Sequence, residues 1–179
     1  MRQILFLFFV IILLGCQVDA VKVTQPPFFD LNDFFEKELV EFSKLKEIKK
    51  KVILNGKEEE KTLSKFDLQK DLEIFTASNI NKVAWLDKYQ VDSLKNVNGM
   101  LEKITYHALD EKVKTRELIV EYLNEEVKSI SIKNITSNHV ASLHQNLKYI
   151  PKKGYFIQSS QDVSLSDSQE LSVEVEFVN

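Results

Sequence analysis

Cys16 is the only thiol in this 179-residue chain, and it follows the small residue Gly15 at the end of an apolar run, 4–14. A small residue there is what a peptidase needs if it must approach the backbone closely. The spacing therefore makes Gly15 and Cys16 the first place to look for processing. The other side chains able to act as acid, base or metal ligand are scattered. His107, His139 and His144 are the only histidines. His139 and His144 stand five apart, which on a strand places them on opposite faces, and they lack the i, i+4 helical spacing of a zinc hydrolase. Glu58-Glu59-Glu60 is a poor metal site, because adjacent residues of a strand point to opposite faces. No G-x-S-x-G, H-E-x-x-H, P-loop or G-x-G-x-x-G pattern occurs. Four glycines leave little material for a phosphate-cradling loop. These residues predict no catalytic centre, no metal and no cofactor; a hydrolase would need several carboxylates or a histidine converging in one cleft.

The segment around Cys16 is more specific. Arg2 supplies a positive charge ahead of the apolar run. The run is too short for a transmembrane span of about 20 residues. Leu13-Leu14-Gly15-Cys16 resembles the lipobox that ends a bacterial lipoprotein signal peptide. The resemblance implies that the thiol takes a diacylglycerol, that cleavage falls between Gly15 and Cys16, and that the new amino terminus is acylated. Several acyl chains, each worth about 0.8 kcal/mol per buried methylene, would hold the protein to a membrane. Val18-Asp19-Ala20 offers an ordinary small-x-small cleavage site instead, which would discard the cysteine; agreement of four residues and the absence of any other thiol favour Cys16. Gln17 stands where an inner-membrane retention signal usually has Asp. The expected location is therefore the outer membrane, facing the periplasm.

After lipidation no thiol is left for a disulfide, so the domain must be held by its core. A net charge of -3 argues against a nucleic-acid partner. The chain divides into a signal peptide at 1–15, a tether at 16–27 and a single domain at 28–179. Pro26-Pro27 stiffens the end of the tether. From Gln17 to Pro27, eleven residues reach about 36 Å at most.

Helical spacing of Leu31, Phe34, Phe35, Leu39, Phe42, Leu45 and Ile48 predicts a helix over 30–50, capped by Asp30 and stapled by Phe29 on Phe34. The mixed charge of its polar face favours a core helix over a membrane-surface helix. Asn55-Gly56 marks a hairpin that sets Lys49-Lys50-Lys51 against Glu58-Glu59-Glu60. Ser64 and Asp67 suggest a capping box for a second helix over 64–76. The stretch from Asn79 to Trp85 reads as a connector, with Trp85 as a core residue. Beyond Leu101 the period changes to two. Six strands are expected, at 101–109, 115–123, 127–135, 141–150, 155–163 and 171–178. Asn134-Ile135-Thr136 matches a glycosylation acceptor in letters but is most simply a strand end.

The expected fold is therefore α+β: two N-terminal amphipathic helices and a β-hairpin covering a curved antiparallel sheet of about six strands. In outline this resembles the carriers and receptors that move lipoproteins between bacterial membranes. The runs Asn79-Ile80-Asn81-Lys82 and Tyr149-Ile150-Pro151-Lys152-Lys153-Gly154-Tyr155 are similar to those of uncharacterised Gram-negative lipoproteins, a group that implies no activity. The functional expectation is a non-enzymatic envelope interaction or assembly module, tied to the membrane by its lipid and docking an envelope protein or lipid partner, with strand 171–178 as a docking edge. One alternative is a carrier or receptor for a lipid or other apolar ligand, with a pocket lined by residues such as Phe35, Phe42, Tyr106 and Tyr122; a second is an envelope hydrolase.

Overall fold

Alternating polar and apolar side chains from residue 89 to 178 become a run of antiparallel strands, each joined to the next by a short turn. A computed structural model describes residues 27–164 and 166–178. Gly15, Cys16 and the tether up to residue 26 lie outside the described residues. The elements are α1 (Leu31–Phe42), β1 (Glu47–Leu54), β2 (Lys57–Leu63), α2 (Leu68–Thr76), a 3-10 turn (Val83–Trp85), β3 (Tyr89–Lys95), β4 (Leu101–Ala108), β5 (Thr115–Leu123), β6 (Glu126–Ser137), β7 (Ala141–Ile150), β8 (Gly154–Val163) and β9 (Ser166–Val178).

These strands make one antiparallel sheet in the order β2-β1-β9-β8-β7-β6-β5-β4-β3. β3 to β9 form a meander. The β1–β2 hairpin crosses to the far side and pairs with the last strand, from Glu47 opposite Val178 to Leu54 opposite Leu171. Asn55 and Gly56 both have positive φ, 49° and 79°, as a type I′ hairpin turn requires.

One face of the sheet is apolar. Register places Tyr106 opposite Leu118, Leu118 opposite Ile132 and Ile132 opposite Leu147. The neighbouring row carries Val120, Ile130, Tyr149, Tyr155 and Val175. Both helices lie on this face, α1 burying Leu31, Phe35 and Phe42 and α2 burying Leu68, Leu72 and Phe75. Tyr149 is the centre: its ring meets Phe35 at 4.9 Å, Phe34 at 5.9 Å and Phe75 at 6.2 Å, all edge-on. Such edge contacts each add about 0.5–1.5 kcal/mol beyond the area they bury. The phenols also hold the helices by their tips. Tyr149 donates to Glu38 of α1. Tyr155 donates to Asp71 of α2 at 2.5 Å, and Lys50 of β1 meets the same carboxylate oxygen at 2.7 Å.

The expected α+β fold, two helices and a hairpin covering about six strands, is overturned: the described chain is mostly one antiparallel sheet, with two helices on one face. The sheet has nine strands, not about six, because the hairpin extends it instead of covering it and because β3 adds a strand. The first helix stops at Phe42 instead of reaching residue 50, and β1 begins at Glu47. Phe42 packs on Phe177 at 5.0 Å while Ile48 pairs beside the same residue in the sheet. Two different elements thus deliver apolar residues to one place, and their spacing imitates a continuous helical stripe. Finally, β9 is not an edge: β1 and β8 pair with it on either side. The second helix also starts later, at Leu68, where Asp67 is the N-cap and accepts from the Lys70 N–H at 3.1 Å.

Candidate functional site

The chain enters the described domain through a clamp made by Asn81. Its Oδ1 accepts from the Phe28 N–H at 3.1 Å, and its Nδ2 donates to the carbonyls of Phe28 at 3.2 Å and Phe29 at 3.1 Å. Asn79 completes the arrangement by donating to Asp30, the N-cap of α1, at 2.9 Å. Ser78, next in the chain before Asn79, is itself held to the sheet. The Thr115 hydroxyl donates to its carbonyl at 3.0 Å, and Asn134 donates to its hydroxyl at 2.9 Å, so the end of α2 is pinned to β5 and β6. The Phe28 ring then meets Tyr89 and Tyr106 edge-on at 5.9 and 5.6 Å. The Asn79–Asn81 run thus fastens the backbone of Phe28 and Phe29 and the N-cap of α1. Asn134 is buried in this network, which fits the reading of its sequon as part of a strand.

The histidines are not brought together. His107 on β4 faces Glu117 at 3.1 Å on the exposed side of the sheet. His144 is exposed on β7, and His139 lies in the turn before it. Among the described residues no cluster of three metal-ligating side chains occurs. Phe35, Phe42, Tyr106 and Tyr122 do not line one cavity: Phe35 packs into the Tyr149 cluster, Phe42 packs on Phe177, and the Tyr106 hydroxyl accepts from the Phe29 N–H at 3.0 Å. Tyr122 is half-buried, and burial pushes its pKa up to about 12. Trp85 is half-buried with the Lys82 ammonium 4.0 Å from the centre of its ring.

The two edges of the sheet differ sharply. β2 reads Lys-Glu-Glu-Glu-Lys-Thr-Leu, and all but Leu63 are exposed. Lys61 pairs with Glu59 at 2.5 Å, and Glu58 pairs with Lys51 of β1 at 2.9 Å. A row of charge of this kind discourages another strand from adding to the edge. β3, the opposite edge, carries only Asp92 and Lys95 as charges. Val91 and Leu94 are each 50 % exposed, and the hairpin leading into β4 adds exposed Val97 and Met100. Pairing with β4 is regular up to Leu94, and resumes after a register shift with Lys95 opposite Leu101. β3 thus offers one strand's worth of regular backbone flanked by apolar side chains. The sequence held a signal for it: Asn98-Gly99 precedes Leu101 as a hairpin turn would, and Gly99 has φ 79°. Reading residues 79–85 as a connector hid the strand that follows.

The open face of the sheet has no comparable bias. Lys49, Lys51, Glu60, Glu174 and Glu176 alternate there around a shallow groove of about 110 Å³. A larger open groove, about 470 Å³, runs between the β5–β6 and β7–β8 turns and mixes Lys128, Lys152 and Lys153 with Glu121 and Glu126. No family model, curated protein or solved structure matches this chain.

Proposed function

We propose that this protein is a lipid-anchored, non-enzymatic docking module of the bacterial outer membrane, attached through Cys16 and facing the periplasm, that receives an extended segment of an envelope protein along β3. The observation that carries the docking site is the contrast between the edges: β2 is closed by charge, whereas β3 exposes Val91 and Leu94 beside backbone groups with no strand beyond them among the described residues. An added strand gains main-chain hydrogen bonds from such an edge and specificity from alternate side chains. The Leu13–Cys16 pattern supports the anchor. The filled space around Tyr149 supports docking over carriage of an apolar ligand between helices and sheet.

The test is recovery of partners from membranes with the full-length lipoprotein. Val91→Lys and Leu94→Lys should each reduce recovery of the same protein, and Glu59→Lys on β2 should leave it unchanged. Circular dichroism and thermal unfolding verify that all three variants remain folded. Equal recovery by wild type and both β3 variants would remove β3 as the docking edge. Turnover of a substrate by the purified domain would overturn the non-enzymatic reading.

A further inference from the structure

We propose that the turn from Lys82 to Trp85 is a membrane-contact surface, seating the domain on anionic phospholipid headgroups of the bilayer that holds the anchor. The proposal rests on lipid attachment at Cys16 and adds the orientation of the domain to it.

The first argument is position. The clamp residue Asn81 adjoins Lys82, so the chain leading back to the anchor is fastened one residue from this turn. Only the eleven residues from Gln17 to Pro27 lie between Cys16 and the clamp, a reach of about 36 Å at full extension. The short reach keeps this side of the domain within about 36 Å of the anchor, while the far side can turn away.

The second argument is composition. Val83 is 84 % exposed, although nothing in the packing of the domain uses it. Lys82 and Ala84 beside it are also exposed. Trp85 packs partly against the core and keeps its remaining exposed surface beside the Lys82 ammonium, 4.0 Å from the ring centre. An aromatic ring with apolar and polar ends, a protruding aliphatic residue and basic side chains are what a headgroup boundary accommodates.

The third argument is charge. The ion pairs among the described residues include neither Lys82 nor Lys114. Asp87, just past the turn, lies 3.8 Å from Lys88, which also lies 3.7 Å from Asp110. Burial, and then the neighbouring charge of Lys82, hold the Lys114 ammonium below the usual lysine range. A lipid phosphate beside Lys82 and Lys114 would relieve that repulsion, and basic residues next to an anchor are attracted to anionic bilayers.

Trp85 is the only tryptophan, so it reports on its own surroundings. Lipidated full-length protein is reconstituted into vesicles of phosphatidylcholine and phosphatidylglycerol carrying brominated acyl chains. The expected result is a blue-shifted, quenched Trp85 emission. In a Lys82→Glu/Val83→Asp variant the quenching should be lost, with flotation and circular dichroism unchanged. Protein that floats with the vesicles while Trp85 stays unquenched would overturn the contact and leave the anchor standing. Protein that fails to float would overturn both. Equal quenching in vesicles of phosphatidylcholine alone would overturn the anionic headgroup as the ligand. A blue shift that follows protein density and not lipid composition would mean that a second copy covers the turn, and would also overturn the proposal.

Discussion

Asn81 holds Phe28 by both polar groups of its backbone, accepting from its N–H at 3.1 Å and donating to its carbonyl at 3.2 Å. Two residues 53 apart in sequence are thereby held together just ahead of α1. The carboxamide is suited to this because it offers a donor and an acceptor together.

Asn81→Ala removes three hydrogen bonds to the 28–29 backbone and leaves those groups without their partner. Each such bond contributes about 0.5–1.5 kcal/mol net, so the expected loss is about 2 kcal/mol. Denaturant unfolding measures the loss. Limited proteolysis supplies the more specific readout: cutting near Phe28 should accelerate well before the sheet becomes sensitive. Unchanged proteolysis would mean that Phe28 is held by its ring contacts alone.

Gly154 opens β8 at φ 144°, and a Cβ placed there would lie 1.9 Å from the Val175 carbonyl oxygen of β9. Backbone cannot move away as a flexible side chain can, so Gly154→Ala should destabilise by about 2–4 kcal/mol. Gly99→Ala makes the control. Its φ is 79° but a Cβ there meets open space, so only backbone strain remains, about 1 kcal/mol. Thermal unfolding of both variants should rank them in that order.

The alternation from residue 101 onward made the six C-terminal strands legible, because a half-buried sheet writes its two faces directly into the chain. Asp30, Phe29 with Phe34, and Asn55-Gly56 were legible for the same reason: each acts on its immediate neighbours. What could not be read was long-range pairing. Leu45 and Ile48 continue a helical stripe in sequence, and only pairing with β2 and β9 makes Glu47–Leu54 a strand. The location of the edges depends on that same pairing, which puts the last strand, β9, inside the sheet. The clamp was visible as Asn79-Ile80-Asn81, but its partner at Phe28 was not, since carboxamides bond to backbone wherever the fold presents it.

The five tyrosines are all shifted upward, burial being the first cause in each case. For Tyr149 and Tyr155 the hydrogen bonds to Glu38 and Asp71 add to it. A phenol whose folded pKa exceeds its unfolded value of about 10 contributes stability that is complete below that pH and declines above it, as the unfolded chain loses protons first. Alkaline titration followed by phenolate absorbance should therefore show little ionisation of the native protein at about pH 10. The five phenols should then ionise together with unfolding. Stepwise ionisation of several tyrosines in folded protein near that pH would contradict the burial of their hydroxyls.

Cys16→Ser should abolish incorporation of labelled fatty acid and block processing of the precursor. Label remaining on the variant would remove Cys16 as the attachment site and the anchor with it.

The most direct test of docking at β3 is site-specific photocrosslinking in intact cells. A benzoylphenylalanine placed at Leu94 should give a discrete adduct with an envelope protein, and the same probe at Glu59 on β2 should give none. Adducts at Glu59 with none at Leu94 would contradict the docking edge.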